Sequence, residues 1–213
     1  MRLSDITLGG TCEPWSRLGL RCDDESISVA GVDIRFDATL RGLARCGFST
    51  SHRDGVAPGH INVDGLAVDV FQTGTNPDVQ GASVIDGVQI LGIDHVVIFT
   101  DDLSRTSEAI ERNLGVACKR TREAGQSVMQ AFHKLDNTIL EIVAGPHVTH
   151  SGAQWWGFVL TVNDIDLWAH AVGDEVATVP RSAVQPGRRI STVHSGVGLG
   201  VPVAVMSPHV KVG

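Results

Sequence analysis

His95 and Glu141 are the two side chains whose types and settings are best suited to chemistry. His95 sits in Gly92-Ile-Asp-His95-Val-Val-Ile-Phe-Thr-Asp-Asp-Leu103 and Glu141 in Ile139-Leu-Glu141-Ile-Val143. An imidazole changes charge near neutral pH and a carboxylate is a hard oxygen donor, so the pair suits either divalent metal binding or proton exchange. Further along, Gln185-Pro-Gly-Arg188-Arg189-Ile-Ser-Thr-Val-His194 places two arginines where a loop enters a strand. Alternation sends Arg189, Ser191 and Val193 to one face and Arg188, Ile190, Thr192 and His194 to the other. One arginine turned inward suits a carboxylate or phosphate by paired hydrogen bonds. The adjacent Trp155 and Trp156 face opposite ways on a strand, one into the core and one toward any cavity. The ligand-binding set expected from these patterns is His95, Glu141, Trp155, Trp156, Arg189, His194 and His133. His52, His60, His147 and His150 lie in polar segments and are expected to be exposed.

These residues need elements to hold them. Val96 and Ile98 alternate with His95, Val97 and Phe99, the period of a strand apolar on both faces. Asp101 or Asp102 can cap a helix in which Leu103, Thr106, Ile110 and Leu114 share one face, and Gly115 suits its C-terminal end. Val116 to Arg122, Ser127 to Leu135 and Thr138 to Val143 follow as strands, the last two joined by the turn signal Asp136-Asn137. The order from 91 to 146 is therefore βαβββ.

A weaker copy fills 155–213, after a small polar linker at 147–154. Phe158 to Val162 is an apolar strand, Asn163-Asp164 a helix cap, Arg189 to His194 and Val201 to Met206 further strands, and Pro180 to Gly187 a surface loop. Laying Asp102 on Asp164 places Phe99-Thr-Asp-Asp-Leu over Thr161-Val-Asn-Asp-Ile. Duplication of this kind predicts two units packed around one shared groove. Upstream, 76–90 reads as a linker. Residues 1–75 form a β-rich segment, with strands at Asp5 to Leu8, Ile27 to Phe36, Gly42 to Phe48 and Leu66 to Phe71 and a helical turn at Pro14 to Leu18. Two readings stay open for it: a third, degenerate βαβββ unit, or a cover.

The bulk composition excludes several classes. A chain of 213 residues can bury a substantial core. A net charge of −7 and a pI near 5.6 argue against nucleic acid as a partner. No apolar region follows Met1 and no run approaches the roughly 18 apolar residues of a membrane helix, so no membrane partner is expected and the chain is expected to be cytoplasmic. Arginine far outnumbers lysine, which is compatible with a bacterial source. Cys12, Cys22, Cys46 and Cys118 show no metal-cluster spacing and are expected to be reduced thiols. Gly196-Val-Gly-Leu-Gly200 lacks a following helix and reads as a hairpin loop, and nothing resembles a nucleophile elbow or phosphate-binding loop.

With the repeat in view, the segment Gly92 to Leu103, the Leu114-Gly115 helix end and Ile139 to Val143 resemble the vicinal oxygen chelate superfamily of glyoxalases, bleomycin-resistance proteins and extradiol dioxygenases. The resemblance covers about residues 91–208. It implies an α+β fold of paired βαβββ modules forming a cup-shaped mixed sheet. Metal-dependent members ligate through the first and last strands of each module, which here gives His95 and Glu141 in the first module. In the second, the matching positions are Gly157 and Val203 or a close neighbour, which have no ligating side chain. Two protein ligands hold a divalent ion weakly, unless His194 or His133 compensates. The resemblance thus implies a small-molecule binder without a complete metal site and without another cofactor. The alternatives are a metal-dependent lyase, isomerase or dioxygenase using His95 and Glu141 as metal ligands, or a non-catalytic structural or interaction protein. A homodimer is expected, because pairing would cover strand edges.

Overall fold

The computed structural model describes residues 1–51, 55–72, 84–85 and 87–209. His52 and most of the expected linker lie outside the described residues. The elements follow in chain order: β1 (Arg2–Gly9), a 3-10 turn (Glu13–Leu18), β2 (Ser26–Val29), β3 (Val32–Asp37), β4 (Leu43–Thr50), β5 (Gly59–Val63), β6 (Leu66–Gln72), β7 (Val84–Ile85), β8 (Val88–Thr100), α1 (Leu103–Leu114), β9 (Cys118–Glu123), β10 (Met129–Lys134), β11 (Ile139–Ala144), β12 (Ala153–Val162), α2 (Ile165–Val172), β13 (Arg181–Ser182), β14 (Arg189–Thr192) and β15 (Val203–Met206).

Both C-terminal units follow the strand, helix, three-strand plan. The sheet order is β13-β14-β15-β12-β8-β11-β10-β9, with β7 paired to β8 off this path. The first strand of each unit, β8 or β12, lies at the centre. Its own last strand runs parallel beside it, and the two units meet through the antiparallel β8–β12 pair. Local chemistry explains the matching helix starts. Asp102 accepts from the Arg105 N–H, Asp164 accepts from those of Asp166 and Leu167, and both satisfy donors a first helical turn leaves free. Gly115, at φ 67°, closes α1 in the left-handed conformation that glycine adopts without a Cβ clash.

The boundaries shift in three places. β8 begins at Val88, inside the expected linker 76–90, and β12 begins at Ala153, inside the expected linker 147–154. The loop expected at Pro180 to Gly187 contains the two-residue strand β13. His60, expected in a loop, lies on β5 and bonds Asp69.

The N-terminal segment is not one more copy of the unit. Its sheet has the order β2-β3-β1-β4-β6-β5, with β1 parallel to β3, β4 parallel to β6, and β1 antiparallel to β4. This is the layout of the C-terminal sheet with one strand fewer in each half. The span expected as one strand, Ile27 to Phe36, is a hairpin, because Ala30 and Gly31 both take positive φ and turn the chain.

The core lies between the apolar faces of the two sheets. Trp15 stacks on Phe158 with ring centroids 5.7 Å apart. The indole N–H of Trp168 donates to the Leu18 carbonyl and that of Trp155 to the Ala67 carbonyl, each at 3.1 Å. The polar tips of Trp155 and Trp168 are thus satisfied across the interface, whereas the buried Trp15 N–H has no hydrogen-bond partner among the described residues. The other face of the C-terminal sheet is directed away from the N-terminal sheet.

Cys12 and Cys22, expected as free thiols, form a disulfide with Cα atoms 5.9 Å apart. The 3-10 turn carrying Trp15 and Leu18 lies between them, so packing of that turn brings the two sulfurs together, which spacing along the chain did not reveal. Cys46 is buried, and that burial pushes its thiol up; Cys118 is partly exposed. Replacing Cys12 and Cys22 by serine is expected to lower stability by about 2–3 kcal/mol, the entropy of a loop of this length, read as a shift of the denaturant midpoint.

Candidate functional site

The concave face of the first unit is built by strand alternation. On β8 it receives His95, Val97 and Phe99, on β11 Ile139 and Glu141, and on β10 Gln130, Phe132 and Lys134. Register sets the key contact: β11 runs parallel to β8 with Ile139 opposite His95 and Glu141 opposite Val97. Glu141 therefore stands diagonally across from His95, and its Oε2 lies 3.2 Å from His95 Nε2. A cavity of about 190 Å³ opens over the pair, lined also by Lys119, Arg120, Phe132, Lys134, Ile139 and Gln185.

Both imidazole nitrogens face carboxylates. His95 Nδ1 lies 2.8 Å from Asp94 Oδ2, and the other oxygen of Asp94 accepts from Arg188 Nη2 at 2.6 Å. The Arg188 and Asp94 side chains are both almost fully buried. Burial opposes ionisation of Asp94, but hydrogen bonds from His95 and Arg188, together with their charges, outweigh it and hold the carboxyl well below the usual carboxylate range. Arg188 also donates to the Ser207 carbonyl at 2.8 Å and to Gln185 Oε1 at 2.6 Å. On the other side Glu141 Oε1 accepts from Gln130 Nε2 at 2.5 Å, and Gln130 Oε1 from Arg122 Nε at 2.6 Å. One polar chain thus crosses the sheet from Arg188 through Asp94, His95, Glu141 and Gln130 to Arg122.

Of the residues expected from sequence, only His95 and Glu141 line this cavity. Arg189 points to the opposite face, where it bonds Asp166 of α2 and the Pro180 carbonyl. Arg188 is the inward arginine. The alternation of the strand was legible, but which parity faced the cup was not. His194 is exposed on the far side of the second unit, its ring 3.1 Å from the Asp174 carbonyl. His133 is fully buried against α1: its Nδ1–H donates to the Val116 carbonyl at 2.7 Å, and Nε2 meets the Ser107 hydroxyl at 2.9 Å. Burial pushes its imidazole down, as suits a neutral structural histidine. Trp155 belongs to the core, whereas Trp156 reaches the concave face, 42% exposed. Sequence reasoning missed Asp94, Gln130, Lys119, Arg120 and Lys134, and of the arginine pair it chose Arg189 over Arg188. Asp94 had a signal, being next to the key histidine, but alternation assigned it to the other face.

The residues present do not fit a resident divalent ion. The capping aspartates align His95 with Gly157, and the parallel β12–β15 register aligns Glu141 with Ala204, next to the expected Val203. Neither can ligate, and a Cβ at Gly157 would stand 2.3 Å from the Pro202 carbonyl oxygen, so no side chain fits there. His133 and His194 are elsewhere. Asp94 on Nδ1 would orient a metal-bound imidazole, yet two ligands beneath Lys119, Arg120 and Lys134 fall short of the three that catalytic sites provide. Among the described residues, no group of three or more His, Cys, Asp and Glu side chains is placed to hold an ion.

Arg188→Met leaves Asp94 buried without its partner and is expected to cost about 3 kcal/mol in chemical unfolding. Because the folded pKa of Asp94 is depressed, its stabilisation is complete above the ordinary carboxylate pKa and is lost as pH falls through the folded value. The stability gap between wild type and Asp94→Asn is therefore expected to be widest near neutrality and to close on acidification.

No family model and no curated protein sequence matches the chain. Solved structures do. A triple mutant of 4-hydroxymandelate synthase from Streptomyces coelicolor superposes with a TM-score of 0.68 over 100% of this chain and 94% of its own, at 11% identity. Methylmalonyl-CoA epimerase from Mycobacterium tuberculosis matches 57% of this chain and 91% of its own at 20% identity, with a TM-score of 0.47. No helix among the described residues is long and apolar enough to cross a membrane. The likeness to the synthase, at 11% identity, is likeness of fold, and with the strand order of both units it gives this chain an α+β fold of paired βαβββ modules.

Proposed function

We propose that the protein binds a small organic anion in the cup of its first unit, in the manner of a glyoxalase- or bleomycin-resistance-type module that works without a metal. The observation that carries this reading is the cavity rim. Lys119, Arg120 and Lys134 line it, and among the described residues none of the three has a carboxylate within ion-pair distance. A chain of net charge −7 that gathers unpaired cations over one cavity has a local field opposite to its average. The floor supplies the complementary features. Phe132 and Ile139 offer apolar contact, and Arg120 lies over the Phe132 ring at 4.9 Å, which holds its guanidinium in place. His95 and Glu141 present polar atoms at the base.

His95 and Glu141 contact each other directly, Nε2 to Oε2 at 3.2 Å. Each of them also has a second partner, so the base of the cup is fixed before any ligand arrives. Such preorganisation lowers the cost of binding.

Thermal shift against a panel of small carboxylates and phosphates, followed by calorimetry on those that stabilise, tests the proposal. Binding is expected to weaken with salt, and Arg120→Ala and Lys134→Ala are each expected to weaken it about tenfold. A folded protein that no member of the panel stabilises would overturn it.

A further inference from the structure

A second feature of the concave face lies on β12, outside the lining of the cavity. Between β12 and β8 the register shifts by one residue, with Trp155 opposite Ile98 and Gly157 opposite Val97. Trp156 is the extra residue of this bulge, a device that re-aims a side chain. It turns the ring out of the core and onto the concave face, where it lies 42% exposed. There it is held flat. Trp156 stacks on Phe99 with centroids 4.8 Å apart and planes at 19°, and His147 meets the other ring of that pair edge-on at 5.0 Å. An exposed indole fixed in orientation offers a second ring a stacking surface without the entropy of ordering it.

Its position relates it to the anion site. Glu141 on β11, Val97 on β8 and Trp156 on β12 occupy three neighbouring strands at one level of the sheet. The indole is thus two strand spacings, about 10 Å, from Glu141. Gly157 contributes no side chain beside it, and the buried Val97 lies between the two. Arg120 on β9 stands at one end of this row and the part-exposed indole at the other.

We propose that Trp156 is the ring-binding subsite of the cup, and that the ligand is an elongated organic acid whose carboxylate or phosphate enters the basic cavity while a planar apolar ring stacks on the indole. The inference rests on the anion-binding reading and adds the chemical class of the ligand.

Binding of a series of ω-(2-naphthyl)alkanoic acids of increasing chain length is compared by calorimetry with plain alkanoic acids of matching length. The naphthyl acids are expected to bind about five- to tenfold tighter at the best length and to quench a component of tryptophan emission that Trp156→Phe lacks. Trp156→Ala is expected to abolish the gain while leaving the affinity for plain acids unchanged, and Trp156→Phe to keep part of it. Plain acids that bind with no advantage for the naphthyl series, or an advantage that survives Trp156→Ala, would overturn this inference alone. Failure of both series to bind overturns the anion-site reading and this one with it. A dimer in light scattering that Trp156→Ala dissociates assigns the ring to a subunit contact and also overturns it.

Discussion

The antiparallel pairing of β8 with β12 is the constraint on which the remaining structure depends. These two strands open the two C-terminal units, and their backbone hydrogen bonds join the units into one sheet. Side chains of period two on both strands then fall into two sets. One set, with Phe158, Leu160, Val96 and Ile98, seals the core against the N-terminal sheet. The other, with His95, Val97, Phe99 and Trp156, forms the concave side. A slip of one residue in this register would invert one strand against the other, sending either His95 into the core or Phe158 to solvent.

The same pairing concentrates the polar groups on one unit. Gly157 lies against the Pro202 carbonyl and has no room for a side chain, so the second unit has no counterpart of His95. It contributes Arg188, which reaches Asp94 on the first strand of the neighbouring unit. A buried ion pair of this type adds little net stability relative to apolar packing, but breaking it is expensive. It locks the relative position of the two units at the point where His95 is held. Asp94 on one nitrogen and Glu141 on the other then leave His95 no freedom to turn.

The N-terminal sheet repeats this layout in reduced form, with a central antiparallel pair, a parallel neighbour on each side and a hairpin strand outside. Its role follows from what it covers. It buries the apolar face opposite the cup through Trp15, Phe48 and Leu66, and the disulfide fixes the turn that presents Trp15. A sheet backed in this way holds its concave side rigid enough to keep an exposed indole and a buried ion pair in place.

The sequence by itself determined the elements of the C-terminal units, because helix caps, the terminal glycine of α1 and the alternation of the strands are local signals. Asp102 over Asp164 makes Gly157 the counterpart of His95 in the second unit, and across the sheet Gly157 pairs with Val97. It determined that His95 and Glu141 belong together only through resemblance; the parallel register that brings them to 3.2 Å is a long-range fact. Tertiary structure alone decided which of Arg188 and Arg189 turns inward, since alternation fixes opposite faces without naming the inner one. It alone decided that His133 is a core residue and that Cys12 meets Cys22. The bulge at Trp156 is of the same kind. It arises from a mismatch between two paired strands, and the physics that sets it acts between segments far apart along the chain.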